Sequence, residues 1–153
     1  MAIATDAAIH FFGTPDTLGT APATVINGAI SLASDLSLWT NDDDAPFASV
    51  VLEFATATTG TAGTTIDLYI QQMDLISTND AEAPDVTNFL HTYVGSFFHN
   101  NPSTAVQYAQ LFIALPNNKT SAVYNFYIVN NTAQTIANTW DLTVTPVTIG
   151  PHA

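Results

Sequence analysis

The feature that most constrains this chain is a two-residue alternation of apolar side chains, repeated in short runs that Gly, Pro, Asn or Asp interrupt each time. A strand with one covered face needs this period, because successive side chains point to opposite sides. From Phe47 to Ala57, Val50, Leu52 and Phe54 share one parity, while Ser49, Val51, Glu53 and Ala55 take the other. After the small, flexible Thr58–Thr64 stretch, Ile66, Leu68 and Ile70 face in, with Asp67, Tyr69 and Gln71 facing out. These two runs read as a hairpin with a long loop. Further strands are expected at Phe89 to Phe97 and at Gln107 to Leu115, where Leu111, Ile113 and Leu115 match in parity. Ala122 to Asn130 is apolar on both parities, which predicts a central strand covered on both sides. Trp140, Leu142 and Val144 alternate with Asp141, Thr143 and Thr145 until Pro146, which is expected to end regular pairing.

A weaker strand at Thr24 to Ala33 and a short one at Leu36 to Trp39 bring the total to seven or eight, with no long helical pattern. Twenty-three threonines suit such a chain, since β-branched side chains pack well on a pleated surface. The spacing predicts an all-β fold, an antiparallel β-sandwich of jelly-roll type, with an immunoglobulin-like sandwich as second choice. At 153 residues and 47% hydrophobic, the chain is one domain's worth, able to bury roughly two thirds of its unfolded surface. Residues 1–23 differ from the sandwich at 24–153: Ala, Thr, Gly and Pro dilute the cluster Ile9-His10-Phe11-Phe12, as in an extended arm. Leaving Ile9, Phe11 and Phe12 in water forfeits roughly 1.5 to 3 kcal/mol per side chain. They are therefore the candidate interface residues, docking on the chain's own body, on a neighbouring subunit or on a larger assembly.

Thirteen acidic side chains against a single basic one, Lys119, give a formal charge of −12. Such a surface cannot neutralise a row of phosphates or lie on an anionic leaflet, which argues against nucleic acid and membranes as partners. A low pI is also what adaptation to a salty environment produces. Cysteine is absent, excluding disulfides, thiolate metal sites and a cysteine nucleophile, and leaving the redox compartment unreadable. With no basic segment near Met1 and no apolar run approaching the ~18 residues of a membrane span, the chain reads as soluble and made without a secretory signal.

Chemistry is harder to find. His10, His91, His99 and His152 are spaced unlike metal ligands and read as surface or interface histidines. There is no Gly-x-Ser-x-Gly elbow, no phosphate-cradling Gly-x-x-x-x-Gly-Lys loop and no His-Glu-x-x-His pair, so no catalytic residue and no cofactor is assigned. Glu53, Glu82 and the aspartates offer carboxylates, yet nothing singles out a pair. Asp42-Asp43-Asp44 is the one dense acidic run; a hard cation uses such oxygens, but an EF-hand's spacing is missing and a solvated turn is the simpler reading. Asp80, Glu82 and Asp85 fall in a second acidic loop. Tyr69, Tyr93 and Tyr108 would make a sugar-stacking platform if they shared an exposed face; cross-strand packing is the plainer alternative.

Read together, Ala48–Phe54, Thr61–Ile70, Val94-Gly95-Ser96-Phe97, Ala122–Asn130, the turn Asn131-Thr132-Ala133-Gln134-Thr135 and Asn138–Pro146 resemble small β-sandwich structural proteins of tailed bacteriophages, of the capsid cement or decoration type. The resemblance spans Phe47 to Pro146 and departs at Ala133 and Asn138, where related sequences favour glycine. It implies a non-enzymatic virion protein, folded in the host's cytoplasm, that binds the outside of the assembled shell. Its partners would be the major capsid protein or other virion subunits, and its own state a homotrimer. Tail or neck accessory proteins and carbohydrate-binding sandwiches are the alternatives.

Overall fold

The computed structural model describes residues 8–20, 22–56, 58, 63–74, 92–99, 104–116 and 119–151. These residues form nine strands and no helix: β1 (Ala8–Phe12), β2 (Asp16–Thr17), β3 (Trp39–Thr40), β4 (Phe47–Phe54), β5 (Thr64–Gln72), β6 (Thr92–His99), β7 (Gln107–Ala114), β8 (Val123–Asn131) and β9 (Asp141–Pro151). One sheet runs β1-β9-β4-β7, with β2 also on β9; the other runs β3-β8-β5-β6. Every ladder is antiparallel. The pairing is nested: β5 with β6, β4 with β7, β3 with β8, and β1 and β2 with β9. A long antiparallel hairpin folded over on itself gives this order, and it is the jelly-roll arrangement, not the immunoglobulin-like one. The facing parities, Val50, Leu52 and Phe54 with Ile66, Leu68 and Ile70 among them, close over a core that also takes Trp39, Tyr124, Phe126, Trp140 and Leu142.

Several elements differ from the expectation. The β4 and β5 runs do not form a hairpin: β4 lies between β9 and β7, and β5 between β8 and β6 in the opposite sheet. Alternation reports which face of a strand is covered, but not which strand supplies its edge hydrogen bonds. Nor does Pro146 stop β9, which continues to Pro151. The Pro146 carbonyl accepts from the Gly13 amide at 2.9 Å, on the edge that faces β1 and β2. An antiparallel residue directs its N–H and C=O to the same edge, so the missing N–H faces the gap where β1 has ended and β2 has not begun.

The weak strand at 24–33 is reduced to isolated bridges, Val25 to Ile136 and Ile30 to Val129. Its Gly28 and Ser31 amides donate to the carbonyls of Asn130 and Ile128, extending along β8 the edge that β3 begins. The short strand at 36–39 appears as a Leu36 bridge to Gly19 followed by β3. The expected strand from Phe89 is described only from Thr92, and His91, Asp80, Glu82, Asp85 and His152 lie outside the described residues. The central strand is as expected: β8 buries Tyr124, Phe126 and Ile128 on one side and Asn125 and Tyr127 on the other.

The described part of the arm lies on the chain's own body. Beyond the β1 and β2 ladders, the Leu18 amide donates to the Leu142 carbonyl and the Gly19 amide to Asp141 Oδ1 at 2.7 Å. Two tryptophans fasten the same segment: Trp39 Nε1 donates to Asp16 Oδ2 at 3.0 Å, and Trp140 Nε1 to the Ala23 carbonyl at 2.9 Å. Ala133 holds φ at +60°, a conformation natural to glycine.

Candidate interaction faces

The outer face of the β1-β9-β4-β7 sheet carries His10 and Phe12 from β1, Phe47 from β4, Phe112 from β7 and Val147 and Ile149 from β9. Phe112 stacks on Phe47, with centroids 5.5 Å apart, and on His10 at 5.8 Å. Val147 is fully buried beneath this cluster although it is on the outward parity, while Phe12 remains 62% and Phe112 50% exposed. Strand register fixes the group: Phe12, Val147, Phe47 and Ala114 lie level across the four strands. Rigid rings on a sheet lose little freedom on contact, and exposed aromatic groups of this kind mark interaction surfaces.

Of the three interface residues expected from sequence, Phe12 belongs to this cluster. Ile9 and Phe11 point to the opposite side of β1; Ile9 is half-buried and Phe11 exposed, level with Thr148, beyond the end of β4. Sequence reading missed Phe47, Phe112 and Ile149. The signal was present at Phe112, a large aromatic on the solvent parity between inward-facing Leu111 and Ile113.

The outer face of the other sheet is polar and aromatic. Tyr69 stacks on the buried Tyr127 at 5.3 Å and meets Tyr93 edge-on at 5.6 Å. The Asp67 carboxylate accepts from Ser96 Oγ at 2.6 Å and from Asn131 Nδ2 at 2.8 Å, and Tyr93 Oη shares a 2.7 Å hydrogen bond with Ser96 Oγ. Burial first, then the charge of Asp67 and the neighbouring Tyr93, pushes the Tyr69 hydroxyl above the ordinary phenol range. Tyr108 is on the outer face of the opposite sheet, on β7, so the three tyrosines considered for a sugar platform do not share a face.

The acidic run sits at the sandwich edge. Asp42 and Asp43, with Thr14, Asp16, Trp39, Thr40 and Pro146, line an open cleft of about 180 Å³, below the roughly 300 Å³ at which small-molecule sites begin. Asp44 accepts from the Ser121 amide at 2.7 Å, joining two residues that both hold φ at +50°. Among the described residues no three His, Cys, Asp or Glu side chains gather in a metal-binding group.

His99, expected at the surface, is fully buried at the end of β6, 3.4 Å from Thr64 Oγ1 and edge-on to Phe54. Among the described residues no carboxylate is set against it or against His10 in the way that orients a general base. Lys119 pairs with the buried Asp74 at 3.1 Å. Burial alone raises the Asp74 carboxyl, but the Val123 amide, Lys119 and Gln72 outweigh it and hold the group below the usual carboxylate range.

Together these features define a jelly-roll β-sandwich with an aromatic face on one side, a polar aromatic face on the other and an acidic edge between them. No protein-family model matches the chain, and no curated protein sequence matches it.

Proposed function

We propose that the chain is a non-enzymatic virion structural protein, a capsid cement or decoration protein that sits on the outside of the assembled shell and bridges its subunits. One observation carries the reading: in a chain of charge −12, Phe12, Phe47 and Phe112 are gathered on the outer face of a rigid sheet, with two of the three at least half exposed. Acidic surfaces keep many copies apart in solution, while a local uncharged aromatic face gives one specific contact. A copy that binds the shell but not its separated parts stabilises the shell by its binding free energy, repeated at every site. The resemblance to phage decoration proteins supplies the partner, the major capsid protein or another virion subunit, and the homotrimeric state.

The test is co-sedimentation with empty capsids stripped of the protein, followed by thermal melting of the shell. The wild-type chain is expected to pellet with the capsids and raise their melting temperature. Phe12→Ser with Phe112→Ser is expected to weaken binding at least about tenfold, since losing ~1.4 kcal/mol of contact suffices for that factor. Failure of the wild-type chain to pellet overturns the reading.

A further inference from the structure

The face opposite the aromatic cluster is built differently, and nothing in the docking role uses it. On the outer face of β6, Tyr93 is 53% and Phe98 57% exposed, and Ser96 lies between them. Beside them on β5 and β8 come Thr65, Asp67 and Asn131, where register places Phe98, Thr65 and Asn131 level, and Ser96 level with Asp67. A β-bulge between Leu68 and Tyr69 shifts Tyr93 along the strand. From there its hydroxyl reaches Ser96, so the ring is tied down at its tip. The Asp67 carboxylate is held from both sides, by Ser96 on one oxygen and Asn131 on the other, and each oxygen keeps acceptor capacity for a further donor.

We infer that this face is a binding platform for neutral polysaccharide. Pyranose rings offer an apolar C–H face to a fixed aromatic ring and hydroxyl donors to an adjacent carboxylate, and here both are held in place before any ligand arrives. Charge selects the class. Among the described residues the platform contains Asp67 and no cation, and the chain's one Lys is engaged with Asp74, so uronic, sulfated and phosphorylated glycans are repelled while uncharged ones are not. Because the two faces belong to different sheets, sugar binding and shell docking are separable, and this inference does not depend on the proposed function.

The test is native gel electrophoresis of the full chain through gels containing dextran, galactomannan, mixed-linkage β-glucan or, as the charged control, alginate. Retardation is expected in at least one neutral gel and not in alginate. Tyr93→Ala and Phe98→Ala are expected to weaken it about tenfold or more, a loss of one good contact. Tyr93→Phe keeps the ring but loses its tie to Ser96 and is expected to bind less tightly than the wild type and more tightly than Tyr93→Ala, while Tyr108→Ala, on the other sheet, is expected to leave binding unchanged. Retardation in none of the neutral gels overturns the inference, as does retardation that Tyr93→Ala and Phe98→Ala both leave intact.

Discussion

Asn130 and Asp74 show how single polar residues are made tolerable inside an apolar sandwich. Asn130 is fully buried, yet its amide donates to the carbonyls of Val25 and Gln134, both at 2.7 Å, while its oxygen accepts from the amide and hydroxyl of Thr132. Every polar atom is thus engaged, which removes the desolvation cost of about 1 to 3 kcal/mol for an unpaired group. It also means that the Asn-x-Thr sequon beginning at Asn130 is closed to modification in the folded chain. Asp74 is likewise buried and partnered, and its lowered pKa sets a sign. A carboxylate that ionises more easily in the folded than in the unfolded state contributes stability above the unfolded value, near 3.8, and loses it as pH falls through the lower folded value. Lys119→Gln removes one of the groups that lower that pKa. The acid-unfolding midpoint, followed by tryptophan fluorescence, is expected to move to higher pH, while stability at pH 7 changes by less than about 1 kcal/mol because Lys119 is partly exposed.

At the scale of elements, β1 depends on one glycine. A Cβ at Gly13 would come within 2.7 Å of Pro146 Cγ and would also meet the Asp43 carboxylate. Gly13→Ala is therefore expected to cost about 1 to 3 kcal/mol and to loosen β1 locally. Hydrogen exchange reads this directly: the β1 amides should exchange faster while those of β4 stay protected. The same region shows what the sequence makes legible. Alternation located β4, β5, β7 and β8, because each buries one parity or both, and that is a local property of the residues. Pairing partners are not local, so the apparent β4–β5 hairpin turned out to be a crossing between sheets. β9 ran through Pro146 only because its neighbour leaves a gap there. The arm's apolar residues were legible as surface-active, but Phe112 joins Phe12 only through four strands in register, which no single run of sequence reveals. On the other face, Asp67 and Ser96 are brought together by the β5–β6 ladder in the same way.

On the scale of the whole molecule, a charge of −12 on so small a body opposes compaction by self-repulsion, which dissolved salt screens over about 10 Å at 0.1 M. The melting temperature at pH 7 is expected to rise between 10 mM and 500 mM sodium chloride; a flat or falling profile would show that repulsion does not limit stability. Nesting has a further consequence, for synthesis on the ribosome. Among the described strands the earliest made, β1, waits for the latest, β9, and β3 waits for β8, so the outermost pairs close only when nearly the whole described length has emerged. Until then Phe11 and Phe12 travel bare in a crowded cell, and a chain stalled before Asp141 has no ladder to offer them. Interrupted translation products should be clients of holding chaperones or proteases, and yield in expression should depend more on intact completion of the last strand than on any change near the middle of the chain.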